Sequence, residues 1–504
     1  MSDEQKPDGP DLAKGVPASD IGEGAMLGGH VGGEAVLIAR TGGALYAIGA
    51  ECTHYHGPLA DGLLVGDTVR CPWHHACFSL KTGKALAAPA IDPVACWAVE
   101  ERDGKVFVKA KKDVADAKPS IGAGKRVVII GGGAAGFAAA ERLRRDGFAG
   151  EVTLLSADPD APYDRPNCSK DYLSGGAPKE WMPLRDDAFY ADGKIDLRTD
   201  TEVASFDPKA KTVTLKDGGD LPYDALILAT GAQPQKPPIP GLDGPHAYVL
   251  RSLKDADAII AAAEKAKRVA VIGASFIGLE VAGALKQRGL DVHVIAPETT
   301  PLEKIMGRDI GEWVKSVHEG KGVMFHLGRK VLGYANGKVE MDEGQPVAAD
   351  FIVVGTGVRP RVALAEAAGL MTNNGVVVDD HLKTSADGVY AAGDIARYPD
   401  PISGKLIRVE HWVHAERQGQ HLARLILGDD RPFSDPPFFW SSHYDKAINY
   451  CGHADDFDPP RIDGSVAKED AAVRYQKNGK LLAVATVGRD LESLKAAAAF
   501  ERQA

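Results

Sequence analysis

The first fifth of the chain carries short runs of strand-forming residues separated by glycine-rich turns. The runs lie at 36–38, 45–48, 68–70 and 106–108. Runs of this length, with no long helical stretch between them, predict a small all-β domain, either a sandwich or a barrel. The polar residues 1 to about 12 that precede it are expected to form a loose tail.

The next part of the chain has the hydrophobic pattern of alternating strands and helices. An apolar run at 126–130 is followed by glycines, by a helical stretch at 134–146 and by a second strand at 151–155. The same order recurs from residue 268 to residue 295. Strand–helix–strand units of this kind predict parallel sheets, and two of them predict two dinucleotide-binding folds of the Rossmann type.

Two further segments complete the pattern. Residues 111–124 are mostly charged residues, Pro, Gly and Ala, a composition that predicts a linker. From about residue 431, Pro and aromatic residues precede further strand runs, which predict a third, smaller α+β unit.

Length and composition narrow the class of protein. At roughly 150 residues per domain, 504 residues predict three or four domains. A hydrophobic content of 44% excludes wholesale disorder, and a net charge of −11 argues against nucleic acid or an anionic membrane as the main partner. No apolar run approaches the roughly 20 residues that span a bilayer, and no apolar secretory segment opens the chain. Six cysteines are too few for a disulfide scaffold, so a cytoplasmic setting is expected.

Two pairs of cysteine and histidine lie within the β-rich region. Cys52 and His54 form a C-x-H box, and Cys71 and His74 form a C-x-x-H box with sixteen residues between the two. Two thiolates and two imidazoles suit either a tetrahedral zinc ion or an asymmetrically ligated [2Fe–2S] cluster. Zinc fingers usually pair Cys with Cys and His with His, whereas each box here supplies one of each. The pattern favours the cluster, and structural zinc remains the alternative.

These boxes resemble those of Rieske ferredoxin domains over about 100 residues. The resemblance implies that the two cysteines bind one iron and the two histidines bind the other. Respiratory members of that family carry one more cysteine in each box, bonded to each other, and Gly57 and Trp73 stand at those places here. The resemblance is therefore to the lower-potential ferredoxin type. His56 and His75, as non-ligands, are expected to tune or cover the cluster.

A glycine-rich turn follows the strand at 126–130. Gly131, Gly133 and Gly136 form a G-x-G-x-x-G motif that opens a helix. The first glycine permits a tight turn, the second lets a pyrophosphate approach backbone N–H groups, and the third allows close helix–strand packing. Asp158, 22 residues after Gly136, is expected to accept hydrogen bonds from ribose hydroxyls.

A second copy of this turn lies 142 residues further on, where Gly273 and Gly278 flank Ser275. Serine in place of the middle glycine slightly crowds a pyrophosphate. Ala296 occupies the usual acidic position, and Glu298 stands two residues beyond it. A carboxylate there favours free ribose hydroxyls over a 2′-phosphate, and no arginine is expected close by to bind that phosphate. NAD(H) is therefore expected, and NADP is less favoured.

The two turns, together with the segments 226–231 and 390–394, resemble the two-dinucleotide flavoprotein reductases. The segment 162–170 resembles the flavin-side loop of ferredoxin reductases and apoptosis-inducing-factor-like proteins. The resemblance implies bound FAD and NAD(H). Beyond the residues of the two turns, the expected cofactor contacts are Arg165, Lys170, Val203, Thr230, Gly231, Arg251, Gly357, Asp394, His411, Trp412 and Trp440.

The same resemblance implies two catalytic residues. In that family, the equivalent of Glu280 pairs with the equivalent of Lys170 beside the flavin. We expect Lys170, so paired, to stabilise negative charge that develops at the flavin during reduction.

A Rieske domain ahead of such a reductase resembles the Rieske-fused apoptosis-inducing-factor-like group and its bacterial relatives, over nearly the whole chain. The implied protein is multidomain: an N-terminal all-β Rieske domain, α/β two-dinucleotide (FAD and NAD) Rossmann-like domains and a C-terminal α+β domain. The expected boundaries are 12–110 for the Rieske [2Fe–2S] domain, 111–124 for the linker, 125–250 and 350–430 for the two parts of the FAD-binding domain, 251–349 for the NAD(P)-binding domain and 431–504 for the C-terminal reductase domain.

The expected function is electron transfer from NAD(P)H through FAD to the chain's own cluster, and then to an oxygenase, a ferredoxin-like carrier or a small oxidant. Two alternatives stay open. Cys168, in the flavin-side loop, would carry a thiol-dependent NADH oxidase or disulfide reductase activity, although no C-x-x-C or C-x₄-C partner is present. A redox-sensing interaction protein is the other alternative. Either a monomer or a homodimer is expected.

Overall fold

The computed structural model describes residues 8–114 and 118–503, which form two compact units. The first unit comprises the described residues up to Pro119 together with Arg489–Gln503, and the second unit comprises Ser120–Gly488. Residues 1–7 of the expected tail and residues 115–117 of the expected linker lie outside the described residues. The chain therefore connects the two units twice, once near residue 119 and once after Gly488.

The first unit contains two antiparallel sheets, as the short strand runs predict. Two-residue Gly–Gly loops at 32–33 and 42–43, with positive φ at every glycine, join three of its strands, because this backbone matches the twist of paired strands. In spatial order the six-stranded sheet contains Val16–Pro17, Lys105–Lys111, Cys96–Arg102, Ala44–Gly49, Glu34–Thr41 and Met26–Val31. The four-stranded sheet contains Leu63–Val65, Thr68–Arg70, Cys77–Ser79 and Ala85–Ala87.

The first parallel sheet of the second unit follows the first glycine-rich turn. In spatial order it contains Ile195–Arg198, Glu151–Leu155, Arg126–Ile130, Ala225–Leu228 and Val389–Ala391. Its last strand comes from much later in the sequence, so this fold is discontinuous. Helices Ala134–Arg145 and Trp412–Ile426 pack so closely that a Cβ added to Gly419 would lie 2.1 Å from the carbonyl oxygen of Ala135.

The second parallel sheet surrounds the second glycine-rich turn. In spatial order it contains Ala247–Tyr248, Phe351–Val354, Arg268–Ile272, Asp291–Ala296 and Met324–Leu327. Its helices are Leu253–Ala263, Phe276–Gln287 and Arg308–Gly320. The first two of these strands lie just outside the expected range 251–349. Phe351–Val354 pairs in parallel with Arg268–Ile272. Ala247–Tyr248 in turn pairs in parallel with Phe351–Val354.

A five-stranded antiparallel sheet completes the second unit. In spatial order it contains Phe438–His443, Lys446–Gly452, Lys480–Val487, Asp470–Lys477 and Arg461–Ser465. The helix Asp490–Glu501, called here the C-terminal helix, belongs to the first unit and not to this sheet. The expected C-terminal domain 431–504 therefore does not form one compact piece. At the junction, Gly488 has φ +67°, and a Cβ there would lie 2.0 Å from the Glu469 carbonyl oxygen, so only glycine fits.

Short elements connect these sheets. The remaining strands are Val203–Asp207, Thr212–Leu215, Asp220–Pro222, Ala232–Pro234, Val331–Ala335, Lys338–Met341, Val347–Ala348, Val358–Pro360, Val376–Val377, Ala396–Pro399 and Leu406–Ile407. The remaining α-helices are Asp171–Ser174, Asp187–Asp192, Glu303–Met306 and Ala363–Ala367. Within the described residues, no helix is both long enough and apolar enough to cross a membrane.

Candidate functional site

The two Cys/His boxes form a pair of loops with the same backbone hydrogen bonds. In each loop the cysteine N–H donates to the carbonyl five residues on, at 2.9 Å for Cys52 and 2.8 Å for Cys71. Each cysteine carbonyl accepts from the N–H four residues on, at 2.9 and 3.2 Å respectively. The residues that donate, His56 and His75, both take left-handed φ values of 58° and 60°. The two loops are therefore built alike.

The four expected ligands converge as two like pairs. Cys52 and Cys71 are buried, carry free thiols and hydrogen-bond to each other. The Nδ1 atoms of His54 and His74 lie 3.2 Å apart. Burial lowers the pKa of His54 to about 4, so this imidazole is neutral and offers a lone pair to a metal. The donor set therefore has a sulfur side and a nitrogen side.

This arrangement decides between zinc and a cluster. A tetrahedral zinc ion with bonds of about 2.0–2.3 Å holds its donors roughly 3.3–3.8 Å apart. In the described part of the chain, the one group of three or more such donors within 4.8 Å of one another is Asp379, Asp380 and His381. No three of the box donors therefore meet at single-ion distances. Two separate donor pairs fit a two-iron cluster ligated by cysteine on one iron and histidine on the other.

The places of the absent cysteine bridge lie against each other. A Cβ added to Gly57 would lie 2.8 Å from Cys71 Sγ and 3.1 Å from the Trp73 ring. The indole packs where a bridge to Gly57 would otherwise run. Tyr55 stacks on the ring of His54 at 4.0 Å between centroids, and both Tyr55 and Trp73 are exposed. Packing thus takes the place of a covalent link between the two loops.

A substitution at Gly57 tests this packing. We expect Gly57→Ala to displace the Cys71 sulfur and to lose most of the bound iron, because its Cβ has no space. The matched control is Gly22→Ala in the same unit, where nothing lies within 4 Å of an added Cβ and φ is not left-handed. Iron content and electron paramagnetic resonance (EPR) of the reduced protein are the measurements. Full iron retention in Gly57→Ala would contradict this expectation.

The first glycine-rich turn forms a cradle that side chains would fill. A Cβ at Gly131 would lie 2.1 Å from the Ala229 carbonyl oxygen, and one at Gly136 would lie 1.9 Å from the Gly131 carbonyl oxygen. The helix that follows begins at Ala134 without a side-chain cap in the described structure, so its first N–H groups face the turn. A guanidinium nitrogen of Arg165 lies 3.8 Å from a Cβ built on Gly133. Open N–H groups and a guanidinium suit a pyrophosphate.

Further expected FAD contacts gather near this turn. The carboxylate of Asp158 accepts a hydrogen bond from the Tyr163 hydroxyl at 2.8 Å. Arg251 forms an ion pair with Asp394 at 2.6 Å and also lies 3.5 Å from a Cβ built on Gly231. The Thr230 hydroxyl donates to the carbonyl of Arg361 at 3.0 Å. Val203 begins the small antiparallel sheet, where it pairs with Leu215.

The expected catalytic pair is formed and buried. Lys170 Nζ lies 2.8 Å from Glu280 Oε2, with side-chain exposures of 17% and 5%. The Ser169 hydroxyl donates to the same oxygen at 2.6 Å, and the Ser441 hydroxyl donates to Oε1 at 2.8 Å. Lys170 also lies over the Trp440 ring at 5.8 Å. Three segments far apart in sequence thus meet at one carboxylate.

The sequence did not reveal the serines or the histidines that continue this network. Ser441 Oγ lies 3.4 Å from His443 Nε2, and His443 Nδ1 lies 3.1 Å from His318 Nε2. Burial lowers the pKa of both histidines to about 3, so both are neutral at physiological pH. The sequence offered one indication for the two serines, which is that they adjoin predicted site residues: Ser169 precedes Lys170, and Ser441 follows Trp440.

The expected nicotinamide segment adjoins the third sheet. His411 stacks on Phe439 with ring centroids 4.1 Å apart. Burial lowers the pKa of His411 to about 3, so its ring is uncharged. Trp412 begins the helix Trp412–Ile426, whose first turn has no side-chain cap in the described structure.

The second glycine-rich turn repeats the first with one change. A Cβ at Gly273 would lie 2.5 Å from the Gly355 carbonyl oxygen, and one at Gly278 would lie 2.4 Å from the Gly273 carbonyl oxygen. The Ser275 hydroxyl donates to the Gly355 carbonyl at 2.9 Å and accepts from the Gly278 N–H at 3.3 Å. The serine therefore serves as the helix cap. Gly357 follows the adjoining strand and has φ +94°.

One statement from the sequence needs correction at this site. Glu298 lies just beyond the strand Asp291–Ala296 and has no arginine near it in sequence, but the neighbouring strand brings Arg329 close. The Arg329 N–H donates to the Ala296 carbonyl at 3.0 Å. Its guanidinium pairs with Glu343 at 2.7 Å. Strand pairing, which sequence distance does not reveal, places this arginine.

Comparison with known proteins agrees with both sites. Residues 125–419 match the family described as pyridine nucleotide-disulphide oxidoreductase, and residues 13–98 match the Rieske [2Fe-2S] domain. The chain belongs to the pyridine nucleotide-disulphide oxidoreductase family and carries a Rieske domain. It is an FAD-dependent NAD(P)H oxidoreductase of the ferredoxin reductase type, with FAD, NAD(H) and a [2Fe–2S] cluster as its cofactors. The expected family, fold class and cofactors are thereby confirmed.

Individual relatives match either the whole chain or its reductase part. Apoptosis-inducing factor 3 of Homo sapiens is 31% identical over 492 residues, covering 94% of this chain and 81% of that protein. Rhodocoxin reductase of Rhodococcus erythropolis is 35% identical over 375 residues, covering 73% of this chain and 88% of that protein. The crystal structure of the covalent putidaredoxin reductase–putidaredoxin complex matches with a TM-score of 0.72 and 30% identity, covering 76% of this chain and 94% of that chain.

Proposed function

We propose that the protein passes electrons from NADH through FAD to its own Rieske cluster and then to an outside acceptor. The observation that carries this proposal is the presence, in one chain, of a two-pair Cys/His donor set and of a buried Lys170–Glu280 site between two dinucleotide cradles. The matches to rhodocoxin reductase and to the anthranilate 1,2-dioxygenase system ferredoxin–NAD(+) reductase component cover 73% and 64% of this chain, whereas the Rieske domain is matched separately at residues 13–98. A chain with a cluster of its own supplies the first carrier internally.

The residues of the second unit have separate tasks in this proposal. FAD bound at this site would supply the chemistry that joins a two-electron nicotinamide to a one-electron cluster. The N–H groups at Gly133 and the guanidinium of Arg165 would hold its pyrophosphate. Lys170, oriented by Glu280, presents positive charge to stabilise the negative charge that the flavin gains. Its low exposure strengthens this effect, because a poorly hydrated charge is less screened.

NADH is the proposed donor because of the charges beside the second cradle. Glu298 would accept hydrogen bonds from the 2′- and 3′-hydroxyls of the adenine ribose. Arg329, the cation that a 2′-phosphate would need, pairs instead with Glu343 at 2.7 Å. The acceptor is proposed to be a ferredoxin-type carrier or an oxygenase, in line with the names of the relatives.

An anaerobic titration tests the electron path. We expect NADH to bleach the flavin and to produce the EPR signal of a histidine-ligated [2Fe–2S] cluster. In His54→Ala the flavin should still be reduced while the cluster signal is lost, because a nitrogen ligand is missing. His30→Ala is the matched control and should behave as the parent protein, because this histidine lies in the same unit, on the strand Met26–Val31, outside both boxes.

Two results would contradict the proposed path. Flavin bleaching without any cluster signal in the parent protein would show that electrons do not reach the cluster. A long-lived reduced flavin with no turnover of an added acceptor would instead favour the redox-sensing alternative.

The role of Lys170 is tested by its removal. We expect Lys170→Ala to slow anaerobic flavin reduction by NADH about 100-fold, the effect of losing one charge-stabilising group. Lys211→Ala is the matched control, since Lys211 also pairs with a carboxylate in the same unit, at 3.2 Å from Asp387, but is exposed. Stopped-flow absorbance of the flavin is the measurement. Equal rates for the two variants would exclude this role.

The thiol alternative is disfavoured by the surroundings of Cys168. This residue is 2% exposed, and burial raises the pKa of its thiol to about 12, so it is protonated at physiological pH. A protonated thiol is a poor nucleophile. Cys168 lines a small cleft together with Arg165, Ser169 and Arg251.

A single substitution tests this reading of Cys168. We expect Cys168→Ala to retain full NADH-dependent reduction of an electron acceptor, because packing is the only property removed. Steady-state turnover at matched FAD content is the measurement. Loss of turnover in Cys168→Ala with normal FAD content would restore the thiol mechanism.

A further inference from the structure

The C-terminal helix contacts the second cluster loop at two points. Ser493 Oγ lies 3.1 Å from His75 Nε2, and the two residues are 0% and 1% exposed. Glu501 accepts two hydrogen bonds from the guanidinium of Arg70, at 2.7 and 2.9 Å. Arg70 directly precedes and His75 directly follows the box from Cys71 to His74. The helix therefore holds this loop on both sides of its two ligands.

Both contacts have the geometry of positioning interactions. His75 takes a left-handed φ of 60°, as His56 does in the first loop at 58°, so the loop itself sets this backbone conformation. A buried hydrogen bond to Ser493 fixes the direction of its ring. A two-bond arginine–carboxylate pair fixes orientation as well as charge, and side-chain exposures of 15% and 23% limit its screening by solvent.

The helix itself is firmly attached. Its buried residues are Ser493, Leu494, Ala497, Ala498 and Phe500, which form one face, and it packs against the strand Leu63–Val65. The serine that meets His75 lies on this buried face. The contacts are thus part of the core of the first unit and not of its surface.

We propose that the C-terminal helix is a part of the cluster site, with Ser493 and Glu501 as positioning residues that hold the second cluster loop in its metal-binding form. Retention of the [2Fe–2S] cluster then depends on Ser493 and Glu501 as well as on the four ligands. This inference concerns cluster retention alone and does not depend on the electron path proposed above.

Point variants in the full-length protein test the proposal. Ser493→Ala removes the hydrogen bond to His75, and Glu501→Gln removes the charge that faces Arg70. The matched control is Lys495→Ala, on the same helix, 54% exposed and paired only loosely with Glu492 at 3.5 Å. The measurements are the rate of loss of cluster absorbance in the presence of an iron chelator, the EPR spectrum of the reduced cluster, and FAD content.

We expect Ser493→Ala to lose its cluster roughly tenfold faster than the parent protein, the factor that corresponds to one lost buried hydrogen bond. Glu501→Gln should also lose its cluster faster, with an altered EPR spectrum in the variant that retains any cluster. Lys495→Ala should match the parent protein, and FAD content should be the same in all of them.

An exchange of charges separates positioning from mere helix stability. Arg70→Glu and Glu501→Arg alone should each release the cluster faster, and the double variant should recover most of the retention because the ion pair is restored. The proposal is overturned if Ser493→Ala and Glu501→Gln keep the cluster as long as Lys495→Ala does. It is equally overturned if Lys495→Ala loses the cluster as fast as they do, since helix stability alone would then account for the effect.

Discussion

The site in the second unit depends on the pairing of the buried carboxylate of Glu280. A carboxylate at 7% exposure is costly to bury unless both of its oxygens are paired. Lys170 and Ser169 pair one oxygen, and Ser441 pairs the other. These partners come from the flavin-side loop and from the third sheet, while Glu280 lies on the helix that the second glycine-rich turn opens. Satisfying one charge therefore requires three parts of the fold to meet at a single point.

The two cluster loops must also be held together, but no buried ion pair joins them in the described structure. Two loops must keep four donor atoms in place, and no covalent bridge links the loops, because Gly57 and Trp73 occupy the positions of the bridging cysteines. The structure meets this need with packing and hydrogen bonds. Trp73 fills the space beside Gly57, and the C-terminal helix contacts the second loop through Ser493 and Glu501. Packing within the loops and contacts from this helix thus stand where a bridge would otherwise link the loops.

The sequence predicted those features whose physical cause is local. The metal boxes and the glycine-rich turns were found because ligand spacing and backbone approach leave their mark on adjacent residues. The sequence did not predict the roles of Ser441 and Ser493, because serine is common and their hydrogen-bond partners lie in other segments of the chain. The sequence did not predict the position of Arg329, because strand pairing and not sequence distance brings it beside Ala296. Strand pairing also explains why two strands of the second parallel sheet lie outside the expected range 251–349. Their local sequence does not indicate which strand they will pair with.

The order of the chain adds a constraint on how the first unit is completed. The residues that join the C-terminal helix to the second cluster loop are 418 and 431 positions apart in the sequence. Such contacts cannot form until residue 501 has been synthesised, and closing so long a loop carries an entropic cost. Most of the first unit precedes the reductase in the sequence, yet its last element follows it. The C-terminal helix can therefore hold the second cluster loop only after the flavin-binding part of the chain has been synthesised. The cluster site is thus completed together with the reductase that would supply its electrons.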